Sequence, residues 1–121
     1  MDFVRKFAQC RPQPGHAQLF WLGQAGFLIK THDGRTLAID PYFTDNVLHA
    51  EKNIGFKRLT PPVCAPDAIA FDALLISHEH GDHFDAEAIA DMMKNGATQV
   101  YTNRPVAESM AQMGLDMSRV H

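Results

Sequence analysis

Residues 73–85 read ALLISHEHGDHFD, and this stretch decides the fold. Its first five residues, 73–77, form a short continuous apolar run, which is typical of a strand buried on both faces. Asp85 is the predicted N-cap of a helix, and the apolar residues that follow recur at the spacing of one helical face. These residues are Ile89, Met92 and Met93. Gly96 is the predicted stop, so the stretch predicts a strand, a histidine-rich loop and a helix.

The loop carries four candidate metal ligands, which are His78, His80, Asp82 and His83. Residues two apart in an extended segment point to the same side, so His78 and His80 can bind one ion through neutral imidazole nitrogens. Asp82 and His83 can face a second ion. Imidazole and carboxylate donors suit Zn²⁺, Fe²⁺ or Mn²⁺. Two ions would lower the pKa of a bridging water and polarise a scissile carbonyl or phosphoryl group, so the loop predicts a hydrolase.

Three strands are predicted upstream of this loop, at residues 18–22, 26–31 and 35–39. Tight turns join them, so they form an antiparallel β-meander. Asp40 ends the third strand, because the residue before a proline is driven out of the helical region and Pro41 cannot donate to a ladder.

Two stretches have no clear period: residues 1–16, interpreted as a leading segment, and residues 46–66, interpreted as an irregular excursion. Downstream, residues 98–102 are a predicted strand, and a helix is predicted to begin near Pro105. Its predicted apolar face comprises Val106, Met110 and Met113. The second half of the chain therefore follows an α/β alternation, β-α-β-α after the meander.

Length and charge limit the function. The 121 residues suffice for one modest core. Because the net charge is −3, binding to a nucleic-acid backbone is not expected. No apolar stretch has the roughly 20 residues that a membrane span needs, and no secretory leader follows the N-terminal basic residues. Cys10 and Cys64 lie far apart, which favours a reducing, cytoplasmic location.

Residues 78–83, HEHGDH, resemble the HxHxDH signature of the metallo-β-lactamase superfamily. Residues 21–27, WLGQAGF, together with residues 39–42, IDPY, resemble the opening of its L-ascorbate-6-phosphate lactonase-like branch. The resemblance extends from about Leu19 to the C-terminus, and residues 46–58 match it least.

The resemblance implies a fold of the α/β (α+β) class, half of an αββα sandwich with a binuclear metal site at one edge. His78 and His80 would bind one ion of Zn or Mn, and Asp82 and His83 the other. Asp82 would also act as the catalytic residue that holds and orients the attacking water. Asp40 would orient a ligand histidine, a role that metal-bound imidazoles need filled.

The family pattern continues with a further histidine, a bridging aspartate and a last histidine, all downstream of the matched region. The expectation is therefore a single partial domain over residues 1–121, with residues 17–121 forming the fold and the metal site incomplete. Such a chain is expected to fold poorly alone or to self-associate, and a homo-oligomer is a possible form.

Three functions follow as hypotheses. The first is a lactonase that opens a sugar-acid lactone phosphate, a small-molecule substrate. The second is a phosphodiesterase or phospholipase-D-like hydrolase, because residues 59–62, LTPP, also occur in that neighbouring branch. The third is a non-catalytic metal-binding fragment. Glu79 is expected to be solvated, and three loop histidines are expected to be exposed rather than ligating, namely His16, His32 and His49.

Overall fold

The computed structural model describes residues 2–51 and 57–121, in which one mixed five-stranded sheet packs against helices. In chain order the elements are α1 (Phe3–Gln9), β1 (Ala17–Gly23), β2 (Gly26–Thr31), β3 (Thr36–Ile39), α2 (Asn46–Glu51), β4 (Ala73–Ile76), α3 (Ile89–Met92), β5 (Gln99–Thr102), α4 (Arg104–Gln112) and a 3-10 turn (Met117–Arg119). No helix in the described part of the chain is both long and apolar enough to cross a bilayer.

The sheet order is β1-β2-β3-β4-β5. The pairs β1–β2 and β2–β3 are antiparallel, which confirms the predicted meander. The pairs β3–β4 and β4–β5 are parallel, as the α/β alternation of the second half requires. The α/β (α+β) prediction is therefore confirmed.

One face of the sheet forms the core. Leu28, Ala38, Leu74 and Val100 are fully buried on adjacent strands, and helix residues cover them. The covering residues are Phe7 of α1, Ile89 and Met92 of α3, and Val106 and Met110 of α4. The methionines at helical spacing are thus core residues, as predicted, except that Met113 is 43% exposed.

The opposite face of the sheet carries an apolar row that crosses all five strands. Each strand contributes one residue to this row, and each residue is the register partner of the one on the next strand. From β1 to β5 the residues are Trp21, Phe27, Ile39, Leu75 and Tyr101. Trp21 is 62% exposed, Tyr101 49% and Leu75 37%. The prediction that β4 is buried on both faces is therefore wrong, because helices cover only one side of it. Self-association remains a prediction.

Two helices lie where the sequence analysis predicts none. The leading segment 1–16 contains α1, which begins where the Asp2 carboxylate accepts the Arg5 backbone N–H at 3.2 Å. Phe3 and Phe7 pack on Phe20 of β1 with ring centroids 5.9 and 5.3 Å from it, and this contact between elements stabilises the helix.

The stretch 46–66, predicted to be irregular, begins with α2. Thr44 Oγ1 accepts the Asn46 N–H at 3.0 Å ahead of that helix. The predicted irregularity of residues 52–56 lies outside the described residues.

Candidate metal centre

The candidate site lies where the carboxyl ends of β3 and β4 meet. The two strands are parallel and pair Ile39 with Leu75, so Asp40 and the histidine loop emerge at the same edge. The Asp40 N–H continues the ladder by donating to Leu75 O at 2.9 Å. A strand end of this kind is where α/β sheets place their ligands.

Asp40 turns its side chain towards β4 through a left-handed backbone conformation with φ +44°. Its carboxylate is buried and accepts three hydrogen bonds, from Ser77 N–H at 2.7 Å, Ser77 Oγ–H at 2.6 Å and His83 Nδ1–H at 2.8 Å. Burial alone would raise the pKa of this carboxyl, but the bonds from Ser77 and His83 outweigh it, and the pKa lies below its ordinary value. Asp40 is therefore an anion with its oxygens already in use.

This anion sets the tautomers of two histidines. His83 donates from Nδ1 to Asp40 Oδ2. Ser77 Oγ gives its only proton to the same oxygen, so it can only accept from His78 Nδ1 at 2.8 Å. Both imidazoles therefore have a proton on Nδ1, which leaves Nε2 as the ring atom that can bind a metal ion. These tautomers are assigned from the hydrogen-bond network.

The histidine rings converge. The ring centroid of His78 lies 4.1 Å from that of His83 and 4.6 Å from that of His80. One donor atom each of Asp40, His78 and His83 lies within 4.8 Å of the others. Because the Asp40 oxygens already accept three hydrogen bonds, the geometry favours an orienting role for Asp40, and the metal-ligand role of the histidines stays a prediction.

Asp82 meets His83 on the side away from Asp40. Asp82 Oδ2 lies 3.7 Å from His83 Nε2. Two ligand atoms bound to one ion at about 2.1 Å lie about 3.4 Å apart in tetrahedral geometry. The pair is therefore spaced as ligands of a common divalent ion would be. Neutral imidazoles beside a carboxylate fit Zn²⁺ or Mn²⁺, and the division of the four predicted ligands between two ions stays a prediction.

The loop is held by the segment after β3, a support that the sequence analysis missed. Asn46 Nδ2 donates to Gly81 O at 3.1 Å, and a Cβ on Gly81 would lie 2.9 Å from that same nitrogen. A side chain at position 81 would therefore have to displace Asn46 or Val47 where α2 meets the metal loop. This bond joins residues 35 positions apart, so no local pattern could reveal it.

Asp85 supplies the second support, and its predicted role as a helix N-cap is wrong. Its carboxylate is buried and accepts Phe43 N–H at 2.8 Å, Thr44 N–H at 2.9 Å and Thr44 Oγ1–H at 2.7 Å. Burial raises the pKa of this carboxyl, although the Thr44 and Phe43 bonds oppose the effect. Helix α3 begins later, after Ala88, where no side chain caps it.

Arg58 supplies a third support, and the sequence analysis did not single it out. Its guanidinium is buried and donates to three carbonyl oxygens, Tyr42 O at 2.5 Å, Leu22 O at 3.2 Å and Thr60 O at 3.2 Å. It also lies 5.0 Å from the centre of the Tyr42 ring. Arg58 thereby fastens the end of β1 to the segment after Asp40.

The other polar residues considered in the sequence analysis lie at the protein surface. Glu79 is exposed, as expected. The three loop histidines, His16, His32 and His49, are also exposed, and His49 pairs with Glu87 at 2.8 Å. None of these four residues belongs to the ligand group found among the described residues.

Asp40→Asn is expected to weaken binding of Zn²⁺ or Mn²⁺ to the chain by about 10- to 100-fold. An asparagine NH₂ facing His83 Nδ1 would favour the tautomer with the proton on Nε2, which removes the lone pair that the metal needs. Isothermal titration measures the affinity, and ¹⁵N shifts of His83 report the tautomer. Asp33→Asn, an exposed control, should leave both unchanged. Unaltered affinity in Asp40→Asn would contradict the orienting role.

Comparisons with known proteins add to this geometry. A family profile described as a β-lactamase superfamily domain matches residues 18–116. The chain is 36% identical over 105 residues to a UPF0173 metal-dependent hydrolase of Polynucleobacter asymbioticus, across 84% of this chain and 32% of the relative. It is 30% identical over 105 residues to a probable L-ascorbate-6-phosphate lactonase of Escherichia coli, across 72% of this chain and 30% of the relative.

A solved structure agrees in fold. The crystal structure of a putative metal-dependent hydrolase from Parabacteroides distasonis superposes with a TM-score of 0.54 at 20% identity, covering 78% of this chain and 34% of that one. This chain spans about a third of the length of the curated relatives it matches.

Proposed function

This chain belongs to the β-lactamase superfamily, and from that premise we propose that it supplies the metal-binding loop of a hydrolase that opens a sugar-acid lactone phosphate. The observation that carries the proposal is the Asp40–Ser77 network, which engages Nδ1 of His78 and His83 and leaves their Nε2 atoms for a metal ion, with His83 Nε2 3.7 Å from Asp82. A site that presents several neutral imidazoles and a carboxylate at a strand end is built for a Lewis acid.

The residues of the loop and Asp40 would have separate roles in the reaction. His78, His80, Asp82 and His83 would hold Zn²⁺ or Mn²⁺, in a pair of ions as the family resemblance implies. When bound, the metal lowers the pKa of a water to near neutrality and polarises the carbonyl. The Asp82 carboxylate orients the attacking water and accepts its hydrogen bond. Asp40 stays ionised and keeps His83 in the tautomer that can bind.

The substrate class rests on the similarity to a lactonase at 30% identity. The rival is phosphodiester hydrolysis, which residues 59–62 favour at the level of sequence. Leu59 is 99% exposed and borders a cavity of about 280 Å³ that Trp21 and Arg58 also line. That cavity lies beside the turn between β1 and β2, at the same sheet edge as Asp40.

We place the protein in the cytoplasm, where Cys10 and Cys64 would stay reduced.

The deciding experiment compares turnover of two substrates by the metal-loaded protein. Opening of L-ascorbate 6-phosphate is followed by proton release, and bis(p-nitrophenyl) phosphate by release of nitrophenolate. Lactone opening that exceeds diester cleavage, and that chelator abolishes, would support the proposal. Faster diester cleavage would replace it with the phosphodiesterase. Stoichiometric metal without turnover of either substrate would overturn both and favour a non-catalytic metal-binding module.

A further inference from the structure

A second cavity lies at the opposite end of the sheet from the metal loop, where β2 ends and β3 begins. Its volume is about 220 Å³. The walls include Phe7 and Ala8 of α1, Ile69 and Ala70 before β4, and two polar residues, Lys30 and Thr36. Thr36 starts β3 and Asp40 follows its end, so about 13 Å of strand separates this cavity from the metal centre.

Lys30 is a buried cation without an anionic partner in the described part of the chain. It is 9% exposed and lies on the core face of β2, where α1 covers it. Among residues 2–50 and 57–121 the lysine that pairs with carboxylates is Lys94, and Lys30 pairs with none. Its Nζ lies 4.7 Å from the centre of the Phe7 ring. The ring face compensates only part of the desolvation of an ammonium ion.

Thr36 also lines the cavity and carries a hydroxyl group. It is 5% exposed and is the register partner of Lys30 across the β2–β3 pair. Its backbone N–H is used by Asp72 Oδ2 at 2.8 Å, whereas Oγ1 bonds to no described residue. Among the described side chains, Arg119 Nε is the one polar atom both sealed from solvent and without a hydrogen-bond partner. Lys30 Nζ and Thr36 Oγ1 are therefore not sealed from solvent, and both residues line the cavity.

We propose that this cavity binds a small monocarboxylate with a compact aliphatic tail. The carboxylate would accept from Lys30 Nζ and Thr36 Oγ1, and the tail would lie against Phe7, Ala8 and Ile69. One ammonium neutralises one negative charge, and the rest of the wall is apolar, so an amphiphilic monoanion is favoured over phosphate. A cavity of about 220 Å³ admits only a small molecule, and pentanoate is the probe chosen to combine one carboxylate with a short aliphatic tail.

The test is a titration of the ¹⁵N-labelled chain with pentanoate, followed by amide shifts in two-dimensional NMR. Saturable shifts at Lys30, Thr36 and α1, with a Kd of about 1 mM, are expected for a ligand so small. Pentanol, which lacks the charge, and inorganic phosphate, which lacks the tail, should each bind at least tenfold more weakly. Phosphate binding as tightly as pentanoate would overturn the choice of ligand.

Two variants test the contributions of the Lys30 charge and the Thr36 hydroxyl to pentanoate binding. Lys30→Met retains the aliphatic stem and removes the charge, so it should remain folded and bind pentanoate at least tenfold more weakly. Thr36→Val keeps the shape of the side chain and should weaken binding about three- to tenfold. Lys94→Met removes an exposed lysine and should change nothing. Absence of shifts around Lys30, or equal affinity in Lys30→Met and the parent chain, would overturn the proposal whatever the metal centre does.

Discussion

Tag-free chain purified without chelator is expected to retain a divalent metal ion, and the double substitution His78→Ala/His80→Ala is expected to remove it. The two rings stand 4.6 Å apart, and His78 carries a free Nε2 because its Nδ1 is tied to Ser77. Loss of two imidazole donors should lower the affinity by more than the 10- to 100-fold typical of a supporting residue. Elemental analysis per mole of chain measures the outcome.

The matched control is His16→Ala/His32→Ala, which deletes the same number of imidazoles at exposed positions outside the loop. It should bind as much metal as the parent chain. Circular dichroism must show that both double variants keep the parent's secondary structure. Equal metal content in the two double variants would contradict the assignment of His78 and His80. A value near two ions per parent chain would favour the binuclear arrangement, and one ion would favour a single site.

The sequence predicts those parts of the fold that depend on residues close together in the chain. The spacing of His78, His80, Asp82 and His83 lies within six residues, and the meander depends on alternation within strands of four to seven residues. The structure confirms the meander and brings the rings of His78, His80 and His83 together, whereas metal binding by the four residues stays a prediction. Asp40 is a mixed case, because its place at a strand end is local but its bonds to Ser77 and His83 depend on parallel pairing of β3 with β4.

The misses share a physical cause, which is dependence on contacts between distant residues. Helices α1 and α2 have seven and six residues, too short to be stable alone, and α1 is packed on Phe20. The sequence analysis does not single out Lys30, whose burial depends on the cover that α1 provides. Asp85 fits an N-cap pattern, but its carboxylate accepts hydrogen bonds from Phe43 and Thr44, which lie 42 and 41 positions earlier in the chain.

Asp85→Ala is expected to lower the free energy of unfolding by about 3 kcal/mol. The substitution removes three hydrogen bonds to a carboxylate and leaves the N–H groups of Phe43 and Thr44 without an acceptor in a buried site. Each such group costs about 1–3 kcal/mol, and removal of a buried carboxylate that burial disfavours offsets part of the loss. Urea unfolding in chelator, followed by circular dichroism, measures the change.

Asp116→Ala is the matched control, because Asp116 also accepts a backbone N–H and a hydroxyl, from Ser118, but at an exposed site. It should lower the free energy of unfolding by about 1 kcal/mol or less. Asp85→Asn should fall between the two, since its one remaining oxygen can still accept from Phe43 and Thr44. Equal losses in Asp85→Ala and Asp116→Ala would refute the anchoring role. A larger loss at Asp85 would mean that the metal loop and the segment after β3 are stabilised as one unit, which explains how a buried carboxylate outside the ligand set positions the site.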